Sequence, residues 1–137
     1  MEAIIYGCGR LTAMLAPHLA QSGYQVAVLD SDPFCLESVV KEPQIRGVLI
    51  TEPVMQDYLQ QGSIGISEVF LALSGDDHKN ALVAQTARHI FNIRTVICRL
   101  ENPQLQQLYS GLGLKVVGTS VLDLFEDIRQ AVEGQAG

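Results

Sequence analysis

Ile4-Ile5-Tyr6-Gly7-Cys8-Gly9-Arg10-Leu11-Thr12 is the stretch whose reading decides the fold. An apolar run ends in Gly-x-Gly, and a helical pattern begins at once, with Leu11, Leu15 and Leu19 recurring every four residues. A second apolar run, Val26-Ala27-Val28-Leu29, ends in Asp30. This is the layout of a dinucleotide-binding βαβ unit. Its glycines let the backbone approach a pyrophosphate, its helix N-terminus supplies partial positive charge, and its acid accepts from ribose hydroxyls. Asp30 follows Gly7 at close to the usual interval of about 20 residues. Thr12 stands where the third glycine of the pattern belongs.

Outward from this unit the pattern repeats. Strands are expected at about Ala3–Tyr6, Gln25–Leu29, Gly47–Ile50, Val69–Leu73, Thr95–Cys98 and Leu114–Val117. Between them fall helices over about Arg10–Gln21, Pro33–Lys41, Pro53–Gln61, Asp77–Phe91, one opening at Asn102-Pro103, and Ser120–Val132. Pro17 should bend the first helix or loosen one of its turns, and Gly23 should end it. Asp32-Pro33 and Asn102-Pro103 carry helix-start chemistry, an N-cap followed by proline. Gly62-Ser63-Ile64-Gly65 reads as a turn. Val83, Ala87 and Ile90 share one helix face, as do Leu105, Leu108 and Leu112, and Val121, Phe125, Ile128 and Val132. Alternating strands and helices with right-handed crossovers give an α/β fold. It is a Rossmann-like, doubly wound, parallel six-stranded sheet in order 3-2-1-4-5-6, a single domain over 1–134 with a frayed tail at 135–137.

The bulk composition narrows the function classes. Of 137 residues 47% are hydrophobic, enough for a real core, and the formal charge is -6. Without a Lys/Arg cluster to neutralise phosphates, nonspecific nucleic-acid binding is excluded, as is a polybasic membrane-surface role. No apolar run reaches the roughly 18 residues of a membrane span, and no basic n-region or cleavage site follows Met1. A cytoplasmic location is expected. Cys8, Cys35 and Cys98, an odd number at wide spacing, read as neither a disulfide framework nor a zinc site. Cys98 reads as a small core residue. Cys8 lies in the glycine loop, where a thiol can be exposed, and a redox role for it is the minority reading.

In such a sheet, ligands bind beyond the carboxyl ends of the strands, beside the first. The candidates there are Gly7, Cys8, Gly9 and Arg10, then Asp30, Ser31 and Asp32, then Thr51 and Glu52, then Ser74, Gly75, Asp76 and Asp77, and Arg99. Asp30 welcomes ribose hydroxyls and repels a 2′-phosphate, so NAD or an adenine nucleotide is favoured over NADP. Arg10 and Arg99 could face phosphates or sit as ordinary surface arginines. Catalysis finds little support. His18 and His89 fall within helices away from the strand ends, and His78 reads better as a capping or solvated residue than as an acid–base group. Asp76-Asp77-His78 are adjacent and do not converge on a metal unaided.

Five stretches together resemble the RCK N-terminal domain, also called KTN or TrkA-N, of potassium channel and Trk/Ktr transporter regulators. They are Ile5-Tyr6-Gly7-Cys8-Gly9-Arg10-Leu11, Val28-Leu29-Asp30-Ser31-Asp32, Leu73-Ser74-Gly75-Asp76-Asp77-His78-Lys79-Asn80, Val96-Ile97-Cys98-Arg99-Leu100-Glu101-Asn102-Pro103 and Gly113-Leu114-Lys115-Val116-Val117. The resemblance implies a nonenzymatic sensor that binds NAD(H) or ATP/ADP in the crevice. It also implies a homodimer or larger ring that gates a separate membrane potassium transporter or channel subunit, keeping the chain peripheral to the inner face of the membrane. The positions it implicates are the loop from Gly7 through Leu11, with Asp30, Ser31, Asp32, Glu52, Ser74, Gly75 and Arg99; Asn80 matches a family-typical polar position. Thr51-Glu52 stands where the family usually has Gly-Asp. The C-terminal domain that many relatives carry is not expected here. A detached NAD-binding domain of an oxidoreductase and a ligand-free interaction module of the same fold are the alternatives. The stripe on the last helix either meets a second copy or packs on its own sheet.

Overall fold

The computed structural model describes residues 1–50, 67–112, 114–117 and 128–133. Its elements in chain order are β1 (Glu2–Tyr6), α1 (Arg10–Gln21), β2 (Gln25–Asp30), α2 (Pro33–Val39), β3 (Ile45–Leu49), β4 (Val69–Ala72), α3 (Asp77–Gln85), β5 (Thr95–Arg99), α4 (Pro103–Gly111) and β6 (Lys115–Val117). A further helical stretch covers 128–133. The six strands form one sheet in the order β3-β2-β1-β4-β5-β6, parallel throughout. The order reverses between β1 and β4, so a crevice opens at the carboxyl end of β1.

The central strands are apolar on both faces because both faces are covered. Ile5, level with Val28 and Leu71, packs on one side with Leu15, Leu19, Leu36, Ile128 and Val132. Ile4, level with Ala27 and Phe70, packs on the other with Val83, Ala84, Ile93 and Leu100. Burying Phe70, Ile4 and Ile5 fully stabilises the fold by roughly 2 kcal/mol each.

Helix ends follow local chemistry. Asp32 caps α2 by accepting from the Phe34 and Cys35 N–H groups, Asp76 caps α3 through Lys79, and Asn102 caps α4 through Gln104 and Leu105. Pro33 and Pro103 open their helices as expected. Gly23, at φ +98°, turns the chain out of α1. Helix α1 continues unbroken through Pro17.

Several expectations need correcting. β3 spans Ile45–Leu49 rather than Gly47–Ile50, and only Ile45 among its residues is buried. At the sheet edge its apolar pattern is too weak to fix the register. The helix after β4 is α-helical to Gln85 and then makes a π-helical turn over Thr86–Ile90, which rotates Ile90 out to 57% exposure while Ala87 stays buried. On α4, Leu105 and Tyr109 pack inward, whereas Leu108 and Leu112 are exposed. Of the two readings left open for the last helix's stripe, its described members Ile128 and Val132 take the packing one, both buried in the chain's own core. The expected helix over Pro53–Gln61, the turn at Gly62–Gly65, Val121, Phe125 and the tail lie outside the described residues.

Candidate functional site

The loop after β1 is built from the backbone outward. Gly7 adopts φ +106°, and its N–H donates to the Leu29 carbonyl at 2.8 Å. A Cβ on Gly7 would lie 2.5 Å from the Ser74 nitrogen, so this glycine lets the turns after β1 and β4 touch. Thr12, in the third-glycine position, is buried and donates its hydroxyl to the Gly7 carbonyl at 2.6 Å. It substitutes a hydrogen bond for the close packing a glycine would give. Gly9 is the N-cap of α1, and a Cβ there would meet nothing within 4 Å. No side chain caps α1, and no acid lies in its first turn, unlike the capped starts of α2, α3 and α4. Its first N–H groups therefore receive no side-chain cap, and Arg10 beside them is exposed. The Leu11 side chain is buried in the core, so only its backbone belongs with the loop.

Asp30, at the end of β2, is tied directly to the loop. One carboxylate oxygen, Oδ2, accepts from the Cys8 N–H; the other, Oδ1, accepts from Ser31 N–H at 2.6 Å and Asp32 N–H at 3.0 Å. A carboxylate has about four acceptor sites, which leaves one on Oδ2. The Asp32 carboxylate is committed to capping α2. Cys8 is bonded to Cys35, with their Cα atoms 6.1 Å apart. This corrects the expectation that the cysteines make no disulfide framework. Cys98 is buried as expected, and burial pushes its thiol up to about 12, with the nearby Asp77 carboxylate adding to the shift. Tyr6, at the end of β1, has its phenol pKa raised, first by burial and then by the Asp30 and Asp76 carboxylates.

The far wall comes from the turns after β4 and β5. Asn80 is fully buried there. Its amide donates to the carbonyls of Ser74 and Arg99, both at 2.8 Å, while its oxygen accepts from Ser74 N–H at 2.9 Å and the Ser74 hydroxyl at 2.6 Å. Asp77 accepts from the N–H groups of Glu101 and Asn102 at about 3.0 Å. Asp77 therefore ties the two turns together, while the Asp76 carboxylate is engaged in capping α3 through Lys79 N–H. Arg99 is largely buried and pairs with Glu101 at 2.9 Å. Gly75 is exposed, with nothing near a Cβ. Thr51 and Glu52 lie outside the described residues.

The structure thus gathers Gly7, Cys8, Gly9, Arg10, Asp30 and Ser31 on one side, and Ser74, Gly75 and Arg99 on the other. Sequence reasoning missed Cys35, Tyr6 and the extent of the Asn80 network. Only the coincidence of an acid, a cysteine in the loop and a second cysteine just after the acid could have hinted at Cys35.

Comparison with known proteins agrees with the geometry. The chain matches the TrkA-N domain over residues 3–120. It is 34% identical over 122 residues to the Trk system potassium uptake protein TrkA of Streptomyces coelicolor, across 87% of this chain and 53% of that protein. The chain therefore spans about half the length of that relative. Among solved structures it superposes on the Kef C-terminal domain of Shewanella denitrificans in its AMP-bound form, with a TM-score of 0.72 at 16% identity over 100% of this chain and 82% of that one. The GsuK channel bound to NAD superposes with a TM-score of 0.67 at 18% identity, over 95% of this chain and 24% of that one. By sequence and by fold, the chain belongs to the TrkA-N domain family.

Proposed function

We propose that this chain is a nucleotide-responsive regulatory domain of a potassium uptake system, acting without catalysis on a separate membrane subunit. The observation that carries the reading is the pairing of an uncapped α1 N-terminus at the open Gly9 with the remaining acceptor of Asp30, which is hydrogen-bonded to the same loop at Cys8. Phosphates would lie over Gly9 against the first N–H groups of α1 and Arg10, and ribose hydroxyls would donate to Asp30. Support comes from the TrkA relative and from neighbours bound to AMP and NAD. The ligand is NAD(H) or ATP/ADP. A 2′-phosphate beside the Asp30 carboxylate would be repelled, so NADP(H) is disfavoured. Arg99 and Ser74 line the opposite wall, and Glu52 completes the proposed set.

Among the described residues, none in the crevice is poised for proton transfer. Asp32, Asp76 and Asp77 accept from backbone N–H groups, Asp30 accepts from three of them and keeps one acceptor site, and His78 is exposed at the helix start. The nucleotide would act by changing how copies of the domain pack, in a homodimer or ring, at the cytoplasmic face of the transporter or channel. Among the described residues, no helix is long and apolar enough to cross a membrane.

A thermal-shift series with NAD+, NADH, NADPH, ATP, ADP and AMP tests the binding half. A ligand at 100 times its Kd should add about 2.7 kcal/mol. Stabilisation by ATP, ADP, NAD+ or NADH is expected, and the absence of any shift at millimolar ligand would reject the reading. A Gly9→Ala variant sharpens the test. It should cost no more than about 1 kcal/mol of stability, the usual N-cap difference. Its methyl would occupy the phosphate approach, so ATP or NAD+ affinity should drop about tenfold or more, about 1.4 kcal/mol.

A further inference from the structure

The glycine loop and α2 are joined by a closed circuit of contacts. The Cys8 N–H donates to Asp30 Oδ2, the Asp32 N–H donates to Asp30 Oδ1, and the Cys35 N–H donates to Asp32 Oδ1. The Cys8–Cys35 bond closes the ring. The same acid proposed to take the ribose thus lies inside a loop that a single covalent bond opens or shuts. Cys8 packs against the core cluster that includes Leu11, Leu15 and Leu36, while Gly9 beside it has nothing within 4 Å of a Cβ.

We infer that Cys8 and Cys35 are a reversible thiol–disulfide pair that tunes the nucleotide site, the bridged form binding more tightly than the dithiol form. This rests on the nucleotide reading of the crevice. Bridging holds Asp30 to the phosphate loop before the ligand arrives, so less ordering is left to binding. Without it, loop and α2 are joined at this rim by hydrogen bonds that water competes for. Both cysteines are partly exposed, which admits a small disulfide reagent, whereas Cys98 is fully buried with its thiol pushed up to about 12. In the cytoplasm proposed above, such bonds are usually transient and regulatory.

The reaction is exchange with a low-molecular-weight disulfide. A thiolate of the pair attacks one sulfur of the reagent, breaks its S–S bond and releases one reagent thiolate. The second protein thiolate then attacks the protein sulfur of the mixed disulfide and expels the other reagent thiol. The two protein thiols lose two electrons and two protons, and the reagent gains them. A small dithiol reverses the sequence.

The test uses the full chain, equilibrated with oxidised glutathione, a linear disulfide, or with reduced dithiothreitol, and titrated with ATP and with NAD+. Thiols are counted by alkylation after unfolding. One thiol is expected in the oxidised sample, Cys98, and three in the reduced sample. Reduction should weaken nucleotide binding about fivefold or more, and saturating nucleotide should shift the disulfide–dithiol equilibrium by the same factor. Cys35→Ser, kept oxidising, should bind like the reduced wild type. Three alkylated thiols under oxidising conditions would overturn the inference, as would affinities equal within about twofold in both forms. If the bridge forms but neither form binds nucleotide, the nucleotide reading falls and takes the coupling with it. Equal binding in both forms removes the coupling alone.

Discussion

Gly7→Ala is expected to lower the stability of the folded chain by roughly 3–5 kcal/mol, through left-handed backbone strain and forced overlap together. The φ of +106° is one that L side chains rarely adopt. The new methyl would also lie 2.5 Å from the Ser74 nitrogen and 2.7 Å from its Cα, both backbone atoms that cannot swing aside. Gly23→Ala separates the two contributions. Gly23 shares the left-handed φ, at +98°, but has nothing within 4 Å of a Cβ. It should cost only the backbone part, about 1–2 kcal/mol. Urea unfolding of the two variants beside wild type gives the comparison, and equal losses would show that contact with Ser74 carries no energy. Since domains of this kind are stable by roughly 5–15 kcal/mol, Gly7→Ala should leave a marginal fold.

That result bears on how the glycine motif is read. The sequence pattern places Gly7 and Gly9 together as a phosphate loop, yet the structure gives them separate work. Gly7 is required by the protein's own packing. Gly9 is not, and so carries the ligand argument. The β1–α1–β2 unit was legible because its signals are local: an apolar run, two glycines, a four-residue repeat and an acid. Strand order followed from the alternation of strands and helices, since right-handed crossovers leave few alternatives. What stayed hidden depends on distance in space. Nothing in a 27-residue separation says that Cys8 and Cys35 have Cα atoms 6.1 Å apart. The edge strand β3 misled because Arg46, Gly47 and Leu49 are exposed, so burial imposes no register on its sequence. The π-turn of Thr86–Ile90 escaped because one extra residue in a turn shifts the exposed face without changing composition. Among the site acids, sequence placed Asp76 and Asp77 at the strand end, but only the backbone N–H groups they accept from reveal that they are structural.

Asn80→Ala should cost about 3 kcal/mol, because it strips partners from three backbone groups at once. The wild-type amide donates to the carbonyls of Ser74 and Arg99, and its oxygen accepts from the Ser74 N–H and hydroxyl. Asn80 is fully buried, while Ser74 and Arg99 are partly exposed, so entering water can repair some of the loss. A fall in Tm of roughly 10 °C is expected for a chain of this size. Asn80→Asp keeps the two accepted bonds, loses both donated ones and sets a carboxylate against two carbonyl oxygens, so at neutral pH it should be at least as damaging as alanine. An aspartate variant as stable as wild type would show that the donated bonds contribute nothing. The network also meets the first prediction at Ser74, which Gly7 touches from one side and Asn80 grips from the other. Once Asn80 is gone, Ser74 is freer to yield to a methyl at position 7. The double variant Gly7→Ala/Asn80→Ala should therefore lose less than the two single losses combined, by about 0.5–3 kcal/mol, the range found for residues sharing a partner. Strict additivity would mean that the glycine loop and the turn after β4 do not communicate through Ser74, and a nucleotide bound to one wall of the crevice would then have no route through that residue to the other.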